Sequence, residues 1–300
     1  MAKIVVVGSG NTDMVVKSPR IPLPGETVLG GQFVMVAGGK GANQAVAAAR
    51  LGAEVSFVAC VGDDLFGASA LEGYQREGMD TRFVTRDPDA PSGVALIVVD
   101  EKGENSIVVA PGANHRLTPQ RVRDATEAIR SADILVAQLE VPIESVLEAA
   151  RIAHDAGVKV ILNPAPACLL PEELLKLTDI LTPNQTESQL LAGGEAPADE
   201  LARLLLGKGP SVVALTLGRS GVLLADSSGW RTIPARTVTP VDTTAAGDAF
   251  NGAFAVALAE EIALEDAVRF AQAAAALSVT RMGAQPSLPT REETEAFLAS

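Results

Sequence analysis

The sequence predicts a three-layer α/β fold, in which a central, mostly parallel sheet is flanked by helices and a small β-sheet lid lies beside it. Short apolar runs alternate with helical patterns, which is the order of βα units in a parallel sheet. Two segments, 14–36 and 91–113, interrupt this order, because they are rich in strand-forming residues and have no helical period. Hydrophobic residues make up 47% of the 300 residues and aromatic residues 3%, so we expect a core of Ala, Val, Leu and Ile.

The elements of the core follow from these patterns in chain order. KIVVVG ends in glycine and is typical of a buried parallel strand, and later helical patterns end at Gly52, Gly78 and Gly157. The predicted strands are 3–8, 54–60, 133–140, 158–163, 179–184 and a hairpin-like pair, 210–218 and 221–226. The predicted helices are 41–52, 66–78, 141–157, 247–261 and 264–281.

The two irregular segments define the predicted domain organisation. Residues 14–36, which contain three prolines, and residues 91–113, which resemble a hairpin, are assigned to a discontinuous lid. Residues 1–13, 37–90 and 114–300 are assigned to the α/β core. Surface loops are the alternative interpretation of both segments, but their strand-forming residues favour a small sheet that lies over a site.

Charge and cysteine content restrict the function classes. The net charge of −13 argues against nucleic acid as a partner, and an anionic substrate would need a helix N-terminus or a bound metal. Cys60 and Cys168 stand alone among apolar neighbours, which predicts core thiols in a reducing compartment. The two histidines form no zinc-binding pattern. Without a signal segment or an apolar run of about 18 residues, we expect a cytoplasmic protein with no membrane partner.

Two glycine-rich stretches near the N-terminus are candidate ligand sites. In GSGNTD, Asp13 replaces the third glycine of a dinucleotide-binding fingerprint, and Asn11 with Asp13 could hold adjacent hydroxyls of a ligand. A polar turn is the alternative. In AGGKGANQA, no Ser or Thr follows the Gly-Lys pair, so it is not a phosphate-binding P-loop. Its glycines still favour a ligand near the helix that carries Asn43, whereas Lys40 could simply be solvent-exposed.

Two stretches in the second half have adequate structural explanations. In TPNQTES, Asn184 and Glu187 are three residues apart, which fits a capped helix start as well as contacts to Mg²⁺-bound water and phosphate. TLGRSG, at 216–221, fits a plain hairpin turn as well as a loop at the rim of a nucleotide.

VDTTAAGDAFNGAF places a carboxylate where a glycine-containing turn becomes a helix. The backbone amides of Ala246, Gly247 and Asp248 would face outward at the helix start, which is a ready anion site. A carboxylate in the same turn could cap the helix or act as a base. Both features agree with phosphoryl transfer if Asp248 takes a proton from a hydroxyl while the amides hold the phosphoryl group.

The stretches AGGKGANQAVAAARLG and VDTTAAGDAFNGAF, with TPNQTE and NPAPA, resemble the signatures of the ribokinase-like carbohydrate kinase family over nearly the whole chain. The resemblance implies the α/β fold with a sugar-covering lid, dimerisation through the lids, and an ATP-dependent sugar kinase. It implies phosphorylation of D-ribose at O5, with deoxyribose, fructose or a nucleoside as alternative acceptors.

The resemblance also assigns roles to individual residues. Asp248 would be the general base, and the amides of Ala246, Gly247 and Asp248 the anion hole. The sugar would be held by Asn11, Asp13, Gly39, Lys40, Asn43, Glu140 and Asp248. Asn184 would contact the phosphates of ATP, Glu187 would organise Mg²⁺ through water, and the nucleotide would be bordered by Thr216, Leu217, Gly218, Arg219, Ser220, Gly221 and Gln272. A K⁺ ion would be held, largely by backbone carbonyls, at Asp242, Thr244, Ser278, Arg281, Gly283 and Ser287.

One position departs from the family pattern, because Ala245 stands where Gly-Ala-Gly-Asp begins with glycine. We expect ordinary backbone dihedrals there, since alanine at positive φ would be strained. Two rival classes remain. A nicotinamide-dependent oxidoreductase is suggested by GSG but lacks the third glycine and a catalytic His or Tyr pattern. A non-catalytic sugar-binding protein would not need the Gly247-Asp248 pair.

Overall fold

A computed structural model of the chain describes residues 1–102 and 104–300, so residue 103 of the predicted lid lies outside the described residues. In this part of the chain the strands are β1 (Lys3–Val7), β2 (Asn11–Lys17), β3 (Gln32–Gly38), β4 (Glu54–Gly62), β5 (Val84–Asp87), β6 (Gly93–Val99), β7 (Asn105–Ala110), β8 (Ile134–Ala137), β9 (Lys159–Leu162), β10 (Ile180–Leu181), β11 (Val212–Thr216), β12 (Val222–Asp226) and β13 (Gly229–Ile233). The helices are α1 (Lys40–Arg50), α2 (Leu65–Arg76), α3 (Pro119–Arg123), α4 (Thr126–Arg130), α5 (Ile143–Asp155), α6 (Glu172–Lys176), α7 (Gln185–Ala192), α8 (Ala198–Leu206), α9 (Ala246–Ala259), α10 (Leu264–Ser278) and α11 (Arg291–Ala299).

The large sheet has nine strands in the order β13-β12-β11-β10-β9-β8-β1-β4-β5. All pairs from β11 to β5 are parallel, whereas β12 and β13 are antiparallel to their neighbours. The predicted fold class and the β11-β12 hairpin are confirmed. The run predicted as a strand over 179–184 contributes only Ile180–Leu181, because continuous pairing ends there; Asn184 makes one isolated bridge to Thr216 and caps the next helix.

Alternation along the strands builds two apolar layers on the faces of this sheet. In β1, Ile4 and Val6 pack with α1, α9 and α10, whereas Val5 and Val7 pack with the layer that contains α5 and α8. Successive strand residues point to opposite faces, so one apolar run supplies both cores. None of the helices in the described ranges, 1–102 and 104–300, is long and apolar enough to cross a membrane.

The two irregular segments supply a second, four-stranded sheet in the order β3-β2-β6-β7. The small sheet is therefore observed, although its strands extend into Asn11–Asp13 and Ala37–Gly38, on the core side of the division made from the sequence. The exact boundaries between core and lid stay a prediction. Because β2 directly follows β1, the small sheet begins at the carboxyl edge of the large one.

Candidate active site

Polar residues directly follow several neighbouring strands at the carboxyl edge of the large sheet. Gln138 follows β8, Asn163 follows β9 and Thr182 follows β10. All three side chains are buried. Helices α1 and α9 also begin at this edge, where open α/β sheets bind their ligands. The stretches that the sequence singled out at 8–13, 37–45 and 246–248 therefore meet in one place.

Asp248 lies in the first turn of α9 and does not cap it. The N-cap of α9 is Ala245, which makes no side-chain capping bond. One carboxylate oxygen of Asp248, Oδ2, accepts from Asn43 Nδ2 at 2.9 Å, and the other, Oδ1, accepts from Gln44 Nε2 at 3.0 Å. Burial raises the pKa of Asp248, against the lowering effect of the Lys40 ammonium and the two amides. The carboxylate is thus held as an oriented acceptor that can receive a proton.

The helix start beside Asp248 leaves backbone donors available. Within the described residues, the amides of Gly247 and Asp248 donate to no protein acceptor, and the Ala246 amide makes one long bond to the Thr243 carbonyl at 3.3 Å. Free amides at a helix N-terminus favour an anion. These amides and a buried carboxylate are therefore adjacent, as the sequence predicted.

The expectation of ordinary dihedrals at Ala245 is wrong. Its φ is 61° and its ψ is 11°, in the left-handed region. This conformation turns the chain abruptly into α9 while the Ala245 carbonyl still accepts the Ala249 amide at 2.8 Å. The strain, of the order of 1 kcal/mol, is borne by a non-glycine residue next to the free amides.

Asp13 faces the site from β2 as an unpaired carboxylate. It accepts no hydrogen bond from the described residues, and only 8% of its surface is exposed. Burial, with Glu140 and Asp248 nearby, raises its pKa to about 6, and Lys40 offsets part of this rise. A Cβ at Gly38 would lie 2.2 Å from Asp13 Oδ2, so glycine at this point of β3 makes room for the carboxylate.

The orientations of two amides are fixed by their protein partners. Asn114 Nδ2 donates to Asn11 Oδ1 at 2.7 Å, which leaves the Asn11 Nδ2 group available as a donor. Asn43 Nδ2 donates to Asp248, which leaves Asn43 Oδ1 buried without a partner. The site therefore offers an amide donor, an amide acceptor and a carboxylate, which suits a ligand with several hydroxyls.

Glu140 and Lys40 form the other side of this pocket. Glu140 Oε2 accepts from Ser9 Oγ at 2.6 Å and from the Lys40 backbone amide at 3.0 Å, so it helps to cap α1 as well as facing the site. Burial alone would lower the pKa of Lys40, but Asp248, Glu140, Glu187 and Asp13 together raise it. Lys40 is thus a charged ammonium among carboxylates. The Cβ of any other residue at Gly39, whose φ is 90°, would lie 2.7 Å from the Asn11 backbone nitrogen.

Asn184 and Glu187 form a complete capping box at the start of α7. Asn184 Oδ1 accepts from the Glu187 amide at 2.8 Å, and Glu187 Oε2 accepts from the Asn184 amide at 2.8 Å. Glu187 is buried, and this burial raises its pKa, whereas the Asn184 amide and then Lys40 lower it. The capping interpretation is correct, and the same carboxylate lies close enough to the site to interact with Lys40 and Asp248.

The predicted nucleotide loop lies at the end of β11. Residues Gly218–Ser220 form a 3₁₀ turn with exposed side chains, and the Thr216 amide donates to the Pro183 carbonyl at 2.8 Å, which joins this loop to the start of α7. Leu217 precedes the turn and Gly221, with φ of 99°, ends it. Gln272 is buried on α10, and its Nε2 donates to the Ile233 carbonyl at 2.9 Å, so its amide already has a structural partner.

The residues predicted for a monovalent cation join two loops. Asp242 Oδ1 accepts from the Thr244 amide and hydroxyl at 2.9 and 2.7 Å, and Asp242 Oδ2 accepts from the Gly283 amide at 2.8 Å. Although burial opposes it, these bonds lower the pKa of Asp242, so the carboxylate stays ionised. The Ser278 and Ser287 hydroxyls donate to nearby carbonyls, and Arg281 pairs with Glu293.

This loop pair contains one ionised carboxylate, that of Asp242, whose two oxygens accept from Thr244 and Gly283. Residues 1–102 and 104–300 contain no group of three His, Cys, Asp or Glu side chains placed to hold a metal.

The comparison with known families agrees with this geometry. Residues 1–291 match the sequence model of the pfkB family carbohydrate kinase. The chain belongs to this family. It is therefore a sugar kinase, and membership removes both rival classes, the nicotinamide-dependent oxidoreductase and the non-catalytic binding protein.

Several relatives of this kinase are similar over their whole length. A ribokinase of Haemophilus influenzae is 48% identical over 300 residues, which cover 98% of each chain. A crystal structure of a ribokinase from Thermotoga maritima has a TM-score of 0.93 and 41% identity, with 100% of both chains covered. A structure of Arabidopsis thaliana ribokinase complexed with ribose and ATP also has a TM-score of 0.93, with 35% identity and 100% of both chains covered.

The structure of the kinase also brings in residues that the sequence did not single out. Gln44 contacts Asp248, Asn114 orients Asn11, and Ser9 binds Glu140. Gln138 and Asn163 contact Gln44. A polar residue directly after a buried parallel strand was the available signal for Gln138 and Asn163, whereas the partners of Gln44 and Asn114 depend on the fold.

Proposed function

We propose that this kinase transfers the γ-phosphoryl group of ATP to O5 of D-ribose and releases D-ribose 5-phosphate and ADP. The observation that carries the proposal is the pairing of Asp248, held by two amides, with the free amides of Gly247 and Asp248 at the start of α9. The names of the full-length relatives support ribose as the sugar and ATP as the phosphoryl donor.

In the proposed reaction Asp248 takes the proton of the O5 hydroxyl as O5 attacks the γ-phosphorus. The O5–P bond forms, the bond from the γ-phosphorus to the β,γ-bridging oxygen breaks, and ADP leaves with that electron pair. The amides of Ala246, Gly247 and Asp248 would stabilise the charge on the transferred group. For Ala246 this requires its long bond to Thr243 to be exchanged for the phosphoryl oxygen.

Sugar recognition is proposed for the polar groups that lack protein partners. Asp13 and Asn43 Oδ1 would accept from ribose hydroxyls, and Asn11 Nδ2 and Lys40 would donate to them. Glu140 has one oxygen engaged by Ser9 and the Lys40 amide, so its other oxygen would face the sugar. Gly39 would let the backbone approach the ligand closely.

The nucleotide would lie on the α7 side of the site. Asn184 would contact its phosphates, and Thr216, Leu217, Gly218, Arg219, Ser220 and Gly221 would form its rim. Gln272 would border the nucleotide only through its remaining surface, because its Nε2 is bound to Ile233. When bound, Mg²⁺ neutralises charge on the β- and γ-phosphates. Glu187, a buried carboxylate in the first turn of α7 beside Asn184, would hold its water shell.

A K⁺ site is proposed between the loops that Asp242 joins. Asp242 would contribute its carboxylate, and Thr244, Ser278, Arg281, Gly283 and Ser287 would contribute mainly backbone carbonyls. A bound K⁺ supplies a positive charge that would order the loop leading to Ala245. The kinase would act in a reducing cytoplasm, which the free thiols of Cys60 and Cys168 support, and as a homodimer through the small sheet.

Substitution of the proposed base tests this function. We expect Asp248→Asn to lower kcat for ATP and ribose by about 10²–10⁴-fold, because the amide cannot accept the proton. ADP release is measured with ribose, deoxyribose and fructose, and the folded state of the variant is checked by thermal unfolding. Near wild-type kcat in Asp248→Asn would contradict the role of Asp248. If kcat/KM is higher for deoxyribose or fructose than for ribose, that sugar is the substrate instead.

A further inference from the structure

A buried network of amide side chains connects Asp248 to the ends of two strands. Gln44 Nε2 donates to Asp248 Oδ1 at 3.0 Å and to Asn163 Oδ1 at 3.2 Å. Gln44 Oε1 accepts from Gln138 Nε2 at 2.7 Å. Asn163 Nδ2 in turn donates to the Thr182 carbonyl at 3.0 Å. Gln44 therefore uses both ends of its amide, and two of its three partners, Gln138 and Asn163, directly follow β8 and β9.

The network continues around the helix start. The Thr182 hydroxyl donates to Asn251 Oδ1 at 2.6 Å, and Asn251 Nδ2 donates to the Gly247 carbonyl at 2.8 Å. The same chain of bonds thus holds the Asp248 carboxylate and the peptide that precedes it. Such networks, when their groups are paired, fix side chains more firmly than single bonds.

Only one orientation of the two glutamines is compatible with an ionised Asp248. If the Gln44 amide were reversed, its oxygen would face Asp248 Oδ1 and the oxygen of Asn163. If the Gln138 amide were reversed, its oxygen would face Gln44 Oε1. Gln138 keeps its donor on Gln44 although its own Oε1 is left buried without a partner. The buried Gln138 amide therefore donates to Gln44 while its own acceptor stays unpaired, which indicates that the donor is the group the site needs.

We propose that Gln44 and Gln138 are positioning residues for phosphoryl transfer: Gln138 fixes the amide of Gln44, and Gln44 holds Oδ1 of Asp248 in place to receive the hydroxyl proton. Neither glutamine needs to touch the sugar or the nucleotide. The inference rests on the proposed function, because it assigns a purpose only if Asp248 is the base.

Two substitutions test the network. Gln44→Met keeps an unbranched side chain of similar length and removes the donor. We expect kcat to fall roughly 10- to 100-fold, the loss of a hydrogen bond to a charged group, while KM for ribose changes less than about threefold. Gln138→Met should lower kcat by less, and the double variant should be no slower than Gln44→Met, because the two residues act through one contact.

The pH dependence of kcat/KM distinguishes positioning from a purely structural role. Loss of a donor to the charged form raises the pKa of a carboxyl group, so the acidic limb should move to higher pH in Gln44→Met, by about one unit. The charged groups that face Asp248 are Lys40, Glu140, Asp13 and Glu187, and all are retained in the variant. Activity should therefore recover in part at higher pH.

Thr178→Val is the matched control, because Thr178 is buried before β10, at the opposite edge of the sheet, and its hydroxyl donates to the Leu174 carbonyl. It should lower thermal stability without moving the acidic limb. An unchanged kcat and acidic limb in Gln44→Met would overturn the inference, as would a change in KM alone. If Gln44→Met does not fold, the same readouts for Gln138→Met decide. If Asp248→Asn keeps its activity, the proposed function is refuted. If Asp248→Asn is inactive but Gln44→Met has the kcat and acidic limb of the wild type, only the positioning role is refuted.

Discussion

Individual carboxylates determine the electrostatics of this site. Asp13, Glu140, Glu187 and Asp248 all act on the pKa of a single ammonium, that of Lys40. Burial raises the pKa of Asp13, Glu187 and Asp248. Keeping these groups charged in the absence of a ligand therefore lowers the free energy of unfolding. Hydroxyl donors of a sugar would relieve this cost. If these carboxylates bind the sugar as proposed, affinity for substrate and stability of the free enzyme are opposed at the same residues.

Asp13→Asn should stabilise the free enzyme at neutral pH. The folded-state pKa of Asp13 is raised from 3.8 to about 6, so its favourable contribution is present below pH 3.8 and is lost as the pH rises through 6. At pH 7 we expect up to about 3 kcal/mol more stability, because burial raises the pKa of Asp13 from 3.8 to about 6. Urea unfolding at pH 7 and pH 4 measures it, and the gain should shrink at pH 4.

Asp226→Asn is a control of opposite sign. Hydrogen bonds from Ser228 and Arg231 lower the pKa of Asp226, so its charged form stabilises the fold and the variant should be less stable at pH 7.

Asp13→Asn should also weaken ribose binding in calorimetry. A loss of stability at pH 7 in Asp13→Asn would contradict the assignment of Asp13 as an unfavourable buried charge.

Ala245 shows where reasoning from local sequence fails. The cost of positive φ at alanine predicts ordinary dihedrals, and this prediction is wrong because the turn between Asp242 and α9 is fixed by distant residues. The Gly283 amide donates to Asp242, which is 41 positions away in sequence, and this bond helps to fix the turn. A cost of about 1 kcal/mol is small beside the packing that fixes the ends of the turn.

At the level of the elements, helix starts were easier to predict than their partners. AGGKGANQA and VDTTAAGD predicted the beginnings of α1 and α9, since glycine clusters and small residues are local signals. The contact of Gln44 with Asp248 spans 204 positions, and that of Asn114 with Asn11 spans 103. Such pairs follow from strand order in the sheet, which one sequence does not determine.

The capping box of α7 allows stability and function to be separated. Glu187→Gln keeps a side chain that can accept from the Asn184 amide but removes the charge. Because burial raises the pKa of Glu187, its charge is unfavourable in the folded state, and we expect the variant to be at least as stable as the wild type at pH 7. If Glu187 organises Mg²⁺, kcat/KM for ATP should fall at least tenfold at limiting Mg²⁺ and recover in part when Mg²⁺ is raised.

Glu293→Gln is the matched control, because Thr290 and Glu293 form the same capping box at the start of α11. Arg281 lowers the pKa of Glu293, so the charged form stabilises the fold and, unlike Glu187→Gln, this variant should be less stable at pH 7. Its Mg²⁺ dependence should stay that of the wild type. An equal Mg²⁺ dependence in Glu187→Gln and the wild type would show that Glu187 serves only α7.

At the scale of the whole molecule, both faces of the small sheet carry exposed apolar side chains. Register places Asp13, which we propose binds the sugar, on the same face as Val36 and Ala95 and as the exposed Val34, Ile107 and Val109. The opposite face carries apolar side chains from all four strands, namely Met14, Val16, Phe33, Met35, Leu96 and Val108. Most of them are exposed, with Phe33 at 60% and Val108 at 65%. A contiguous apolar surface of this kind marks an interaction site.

We expect the wild-type kinase to sediment at twice its mass of 30.9 kDa at micromolar concentration, because pairing two such faces removes the apolar surface from water. Leu96→Lys should dissociate the dimer, since the ammonium would be buried at the centre of the contact without a partner. Leu169→Lys, which changes a leucine outside the small sheet that is more exposed than Leu96 (76% against 52%), should leave the mass unchanged. If the wild type is a monomer, or if Leu96→Lys remains a dimer, the apolar face is not the dimer interface and must bind another partner. Because the same sheet carries Asp13 on its other face, dissociation should also raise KM for ribose while kcat changes less.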